Sequence, residues 1–161
     1  MEKKRDLVVR KQSHVLITGP NGIGKSTLLK TLAGGGSLTA KIAPSVVIGY
    51  YQQDFGNLDF DKTAFDTLKE VMTSSGEHEL RSTAAGFLLD GKILAQPVRA
   101  LSEGQKALLS FCRLVLLQPG LLILDEPTNH INFRHLPVIA RALDAYEGAL
   151  VLVSHSPDFI A

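Results

Sequence analysis

The run Gly-Pro-Asn-Gly-Ile-Gly-Lys-Ser-Thr at Gly19 to Thr27 sits between an apolar stretch, Val15 to Ile17, and a helical pattern in Leu28, Leu29 and Leu32. A strand therefore feeds a glycine-rich turn that opens directly into a helix. The spacing is that of a P-loop, in which successive backbone N–H groups point inward and side chains at the glycines would block the approach of an anion. The helix starting at the same point adds free N–H groups and the positive end of its dipole. Gly19, Asn21, Gly22 and Gly24 form the cradle, with Thr27 on the α-phosphate side. Lys25 reaches terminal phosphates and Ser26 offers a hydroxyl to Mg²⁺. A plain flexible turn is the rival reading, and it weakens as further motifs appear downstream.

A loop of this kind needs a sheet beneath it, and the chain is long enough to build one. Its 161 residues fit one domain, a size that buries about 70% of the unfolded surface. With 45% hydrophobic and 20% charged residues, the composition is that of a globular protein, not a disordered or fibrous one. No apolar run approaches bilayer length and no signal-peptide core follows the basic start, so a cytoplasmic location is expected. The net charge of +1 gives no general attraction to nucleic acid. The basic residues Lys3, Lys4, Arg5, Arg10 and Lys11, mixed with Glu2 and Asp6, read as a solvated edge. Cys112 is the sole cysteine, excludes an internal disulfide, and lies in an apolar helical pattern as a buried thiol.

Along the chain, Leu7 to Val9 and Val15 to Thr18 are expected to be strands joined by a polar turn. The P-loop helix is expected to run from about Gly24 to Ala33 and stop at Gly34-Gly35-Gly36. Val46 to Tyr51 is β-branched and aromatic, so it reads as a strand, with Gln52-Gln53-Asp54 just past its end. Ligands of open α/β sheets bind at the carboxyl ends of the strands, which makes Gln53 a candidate for Mg²⁺ or the attacking water. Polar residues follow strands in many folds, and Gln53 alone does not decide the point. Helical stretches at Thr63 to Met72 and Glu79 to Leu89 interrupt the strand–helix alternation and predict a helical subdomain over about 61–117.

Leu101-Ser102-Glu103-Gly104-Gln105 precedes an apolar helix expected from about Gln105 to Leu117. Ser102 and Gln105 have capping-box spacing, and the helix end, read as lacking a local acid, suits an anion as well as it suits an ordinary capped core helix. Leu121 to Leu124 is a continuous apolar run ending in Asp125-Glu126, as expected of a strand covered on both faces. Two carboxylates there are costly to desolvate unless a cation or a proton transfer accounts for them. Asp125 is assigned to Mg²⁺ and Glu126 to the attacking water. After a helix expected from Pro137 to Tyr146, the strand Ala149 to Val153 delivers Ser154-His155 to the same edge, where His155 is placed to meet a γ-phosphate or water.

These five stretches together resemble the nucleotide-binding domain of ATP-binding-cassette (ABC) ATPases. Gly19 to Thr27 is similar to the Walker A loop, Gln53 to the Q-loop glutamine and Leu101 to Gln105 to the signature motif. Leu121 to Glu126 is similar to Walker B with its catalytic glutamate, and His155 to the switch histidine. The resemblance implies a P-loop NTPase of α/β class, with a mostly parallel sheet flanked by helices. It also implies ATP and Mg²⁺ as ligands, with Lys25, Gln53, Glu126 and His155 in the catalytic set and Ser26, Gln53 and Asp125 on the metal. In such proteins the signature of one cassette closes on the ATP of another, which would bring Ser102, Gly104 and Gln105 to a partner's γ-phosphate.

Asp125-Glu126-Pro127-Thr128-Asn129-His130 resembles the soluble ABC-F branch, whose members carry two cassettes in tandem and act on ribosomes. Two rivals remain at this point: the ATPase subunit of a membrane transporter, and a nucleotide-binding module that does not hydrolyse. The chain departs from the family pattern at Glu103, where Gly is usual, and at Asn132, where Asp is usual. No aromatic residue precedes Tyr50 to stack on adenine. The N-terminal β-region and the final strands are short of the family's extent, so the chain reads as a fragment or truncated homologue.

Overall fold

A computed structural model describes residues 8–20, 22–36, 41–52, 54–72, 76–127, 131 and 133–154. Among these residues four strands, β1 (His14–Ile17), β2 (Ile48–Tyr51), β3 (Leu121–Asp125) and β4 (Ala149–Val153), form one sheet in the order β1-β4-β3-β2. Every pairing is parallel, with Ile17 and Asp125 both level with Val153, and Tyr51 level with Leu124. The helices are α1 (Lys25–Ala33), α2 (Ala64–Lys69), α3 (Glu77–Gly86), α4 (Gly91–Leu94), α5 (Glu103–Leu117) and α6 (Leu136–Asp144). Four of them, α2 to α5, lie between β2 and β3 in the chain. Among the described residues no helix is long and apolar enough to cross a membrane.

The continuous apolar runs of β3 and β4 are buried at every position because helices cover both faces of the sheet. Alternation along the strand divides these side chains between two layers. Leu121 and Ile123 join Val151, Val153 and the fully buried Leu29 of α1. Leu122 and Leu124 face the other way, into a larger core with Leu108 and Phe111 of α5 and Ile139 of α6. Tyr51 stacks on Phe111 at 4.8 Å between ring centroids and meets Phe55 edge-on at 6.2 Å. Beside it Gly49 lies so close to α5 that a Cβ there would be 2.9 Å from Leu114 Cδ2 and 3.0 Å from Pro119 Cγ.

Three glycines end α1 as expected. The Gly34 N–H donates to Lys30 O at 3.0 Å, the Gly36 N–H donates to Thr31 O at 3.0 Å, and Gly35 takes φ 104. Two expectations are corrected. Val8 and Val9 are not in a strand; the turn at Lys11 and Gln12 precedes β1, and Val8 stands exposed. β1 is at the end of the strand order with β4 as its only ladder partner, so no neighbouring strand holds those two valines among the described residues. The second correction concerns α5, which starts at Glu103 instead of Gln105. Ser102 is its N-cap, so an acidic residue does occupy the first turn. Leu7, Lys3, Lys4, Arg5, Asn21, Gln53, Asn132 and His155 lie outside the described residues.

Candidate functional site

Because all strands run the same way, their carboxyl ends share one edge. β1 delivers the loop from Thr18 onward, β2 delivers Gln52, β3 delivers Asp125 and Glu126, and β4 delivers Ser154. In the loop, Gly22 (φ 83) and Gly24 (φ 100) adopt left-handed backbone that L side chains rarely take. Open space surrounds both, so the backbone angle, not crowding, demands glycine there. Gly24 caps α1 without a side-chain bond and no acid occupies the first turn, which leaves the helix N–H groups and dipole facing outward. The Lys25 ammonium folds back to donate to the Gly19 carbonyl, across its own loop.

Side-chain parity then settles which face of the sheet meets this loop. Asp125 shares parity with Leu121 and Ile123, and Tyr50 with Ile48, so both lie on the α1 side. A cleft of about 510 Å³ opens there, with Ser26 and Asp125 both in its wall. Tyr50, Gln52 and Asp54 line it from β2 and the segment beyond. Lys30, one helical turn after Ser26, and Glu103 complete its charged lining. The Tyr50 hydroxyl is held above its ordinary acidity range by burial first, then by the Asp125 and Asp54 charges.

Asp125 is only 5% exposed, and its Oδ1 has no hydrogen-bond partner among the described residues. A buried carboxylate oxygen left unpartnered is expensive, and hard divalent cations take such oxygen ligands. The chemistry of the pair, a carboxylate and the Ser26 hydroxyl on one cleft, fits Mg²⁺. No three His, Cys, Asp or Glu side chains among the described residues cluster tightly enough to hold a metal alone.

Glu126 leaves the strand in left-handed backbone, φ 47, with its N–H donating to Val153 O at 2.9 Å. That angle in a non-glycine residue marks a sharp departure from the ladder at the sheet edge. Ser102 accepts from the Gln105 N–H at 3.1 Å, and the Ser102 N–H donates to Gln105 Oε1 at 3.0 Å, a reciprocal capping box. Ser102 is exposed, and Gly104 and Gln105 are half-buried. The cleft thus gathers Ser26 and Asp125; Ser102, Gly104 and Gln105 do not line it, and Thr27 is exposed on α1. Five lining residues went unassigned in the sequence: Lys30, Tyr50, Gln52, Asp54 and Phe55. The spacing of Lys30 from Ser26 and the parity of Tyr50 along its strand were the signals that could have found two of them.

A parallel sheet whose carboxyl edge carries a glycine-rich loop, a helix N-terminus and a buried strand-end aspartate defines the P-loop nucleotide-binding class. Within it, residues 3–129 match the family model described as ABC transporter, and the chain belongs to that family of ATP-binding cassettes. Its relatives include ABC-F proteins. It is 33% identical to ABC transporter F family member 5 of Arabidopsis thaliana over 98% of this chain and 24% of that protein. It is 40% identical to the putative ATP-binding protein YdiF of Bacillus subtilis over 96% of this chain and 24% of that one. The chain thus spans about a quarter of the length of either relative. Among solved structures, the dimeric ABC transporter cassette MJ0796 superposes with a TM-score of 0.77 at 19% identity, over 95% of this chain and 79% of the other. At that identity the likeness speaks to the fold.

Proposed function

We propose that this chain is a Mg²⁺-dependent ATP-binding and hydrolysing cassette of ABC-F type, working in the cytoplasm with a second cassette and acting at the ribosome. The observation that carries the reading is the buried Asp125 Oδ1, unpartnered among the described residues, on the same cleft as Ser26. The amides of Gly19, Gly22 and Gly24, with Asn21, would cradle the phosphates, Thr27 standing on the α-phosphate side. Lys25 would exchange the Gly19 carbonyl for an anionic phosphate oxygen, a stronger, charge-assisted partner. Ser26 and Asp125, with Gln53, would hold Mg²⁺, which when bound neutralises charge on the terminal phosphates.

Glu126 takes the role of base for the attacking water, and Gln53 and His155 that of γ-phosphate sensors. Ser102, Gly104 and Gln105 would face a nucleotide held by the second cassette, with residues 61–117 as the helical subdomain that carries them. The ribosomal role rests on the resemblance of the segment from Asp125 to His130 to the ABC-F branch, and the relatives' whole length exceeds this chain about fourfold.

Turnover by the purified chain, alone and mixed with ribosomes, tests the reading. Glu126→Gln is expected to lower hydrolysis by about 10²- to 10⁴-fold while nucleotide binding persists. Lys25→Ala is expected to weaken binding itself. Unchanged affinity in Lys25→Ala would overturn the phosphate cradle, and hydrolysis surviving Glu126→Gln would overturn the base.

A further inference from the structure

A second cavity, of about 680 Å³, opens between α5 and α6. It reaches Pro119, ahead of β3, and Gly148, ahead of β4, so it lies at the amino ends of the strands, away from the edge that carries the P-loop. Phe87, Phe111 and Leu114 form its buried apolar wall. Few polar atoms face it. The Tyr146 hydroxyl is spent on Pro119 O at 2.9 Å and Ala149 O at 3.2 Å. Gln118, Arg141 and Glu147 stand exposed, and Arg141 Nε already donates to Pro137 O at 3.3 Å. Arg141 and Glu147 are the charged residues of the described lining, one of each sign, so their formal charges cancel.

We propose that this crevice is a binding site for an uncharged, largely apolar small molecule with an aromatic body. Its volume falls within the range of about 300–1,000 Å³ found for ligand pockets. A charged ligand would give up its hydration against walls that offer no unspent buried partner in return. An extended peptide fares no better, because its backbone N–H and C=O groups would go unpaired there. A helix satisfies its own backbone but is about 10–12 Å thick, and a sphere of the crevice's volume is only about 11 Å across, room for a turn or two. The rings of Phe87, Phe111 and Tyr146 suit an aromatic guest, which can meet them face to edge. The space is also held open in advance. Tyr146 is tied to the residues ahead of β3 and β4, which fixes the end of α6 against the sheet, and Gly148 leaves room for its ring where a Cβ would not. None of this depends on the nucleotide-site reading.

The test is a fluorescence titration of the whole chain with two naphthalene dyes, neutral prodan and anionic anilinonaphthalene sulfonate. A single equivalent of prodan is expected to bind, about tenfold or more tightly than the sulfonate, because the crevice cannot repay a buried charge. Ala142→Trp fills the crevice from α6 and is expected to weaken prodan about tenfold or more, since ring and dye cannot share the space. Ala140→Trp, exposed on the same helix outside the crevice, is expected to leave the affinity alone. Should Ala142→Trp fail to fold, amide NMR shifts of the unmodified chain decide: prodan is expected to move Gly86 and Gly148 and to leave Gly22 and Gly24 of the phosphate loop in place. Absence of binding, equal affinity for the two dyes, binding untouched in a folded Ala142→Trp chain, or shifts at the phosphate loop instead of at Gly86 and Gly148 would each overturn the proposal, and the nucleotide site would stand.

Discussion

Asp125→Asn separates what the buried carboxylate does for the ligand from what it costs the fold. The residue is 5% exposed on the last position of β3, level with Val153 and in line with the apolar Ile123, and its Oδ1 has no partner among the described residues. Leaving a buried polar atom unpaired costs about 1–3 kcal/mol, more when the group is charged. Asparagine keeps the shape and removes the charge, so the ligand-free chain is expected to gain about 1–2 kcal/mol. For a chain of this size that raises Tm by roughly 2–8 °C.

Adding Mg²⁺ and ATP should reverse the order. A ligand at about a hundred times its Kd stabilises the native state by about 2.7 kcal/mol, and the variant is expected to lose most of that increment with its metal contact. Thermal melts and urea titrations of both chains, each with and without Mg²⁺ and ATP, read the two effects independently. A ligand-free variant less stable than the parent would show that the oxygen is satisfied in solution. A full magnesium-dependent increment in the variant would refute the role given to Asp125.

Two further outcomes follow from packing and burial. Gly49→Val would press a branched side chain against Leu114 and the rigid ring of Pro119, and is expected to destabilise by about 1–3 kcal/mol, read from the urea midpoint. Cys112 is fully buried, and burial pushes its thiol from the ordinary 9.0 up to about 12; Tyr146 is likewise raised from 10.0 to about 12. Both folded values lie above the unfolded ones, so this stability is complete below about pH 9 and is lost as pH climbs toward about 12. Urea midpoints measured from about pH 8 upward should decline on that schedule. Maleimide should label Cys112 only after unfolding, and labelling of the native chain would contradict its burial.

The sequence made the central layer readable because its signals are local. Leu121 to Leu124 bounded by Pro119-Gly120 and Asp125 admits little besides a doubly covered strand, and three glycines after Ala33 stop a helix wherever they occur. Local signals misled at Val8 and Val9, whose β-branched character was real but which have no ladder partner among the described residues. They also misplaced the start of α5, because the capping pair was recognised but the helix was counted from its glutamine instead of from the residue after the serine. What no spacing argument reached was the meeting of Ser26 with Glu103 on one cleft. That arrangement depends on how α2 to α5 fold back against β2, a property of the assembled core around Tyr51 and Phe111.

The cap at Ser102 also constrains how a second molecule could use it. A serine hydroxyl holds one proton to give and two lone pairs to offer, and the helix draws only on a lone pair, through the Gln105 N–H. The proton remains available to an outside acceptor without the helix surrendering its terminus. Aspartate would cap as well and yet bring no proton. A hydroxyl that anchors its own helix thus approaches an incoming anion already aimed, and the rotor entropy that a free side chain would forfeit on contact has been spent during folding.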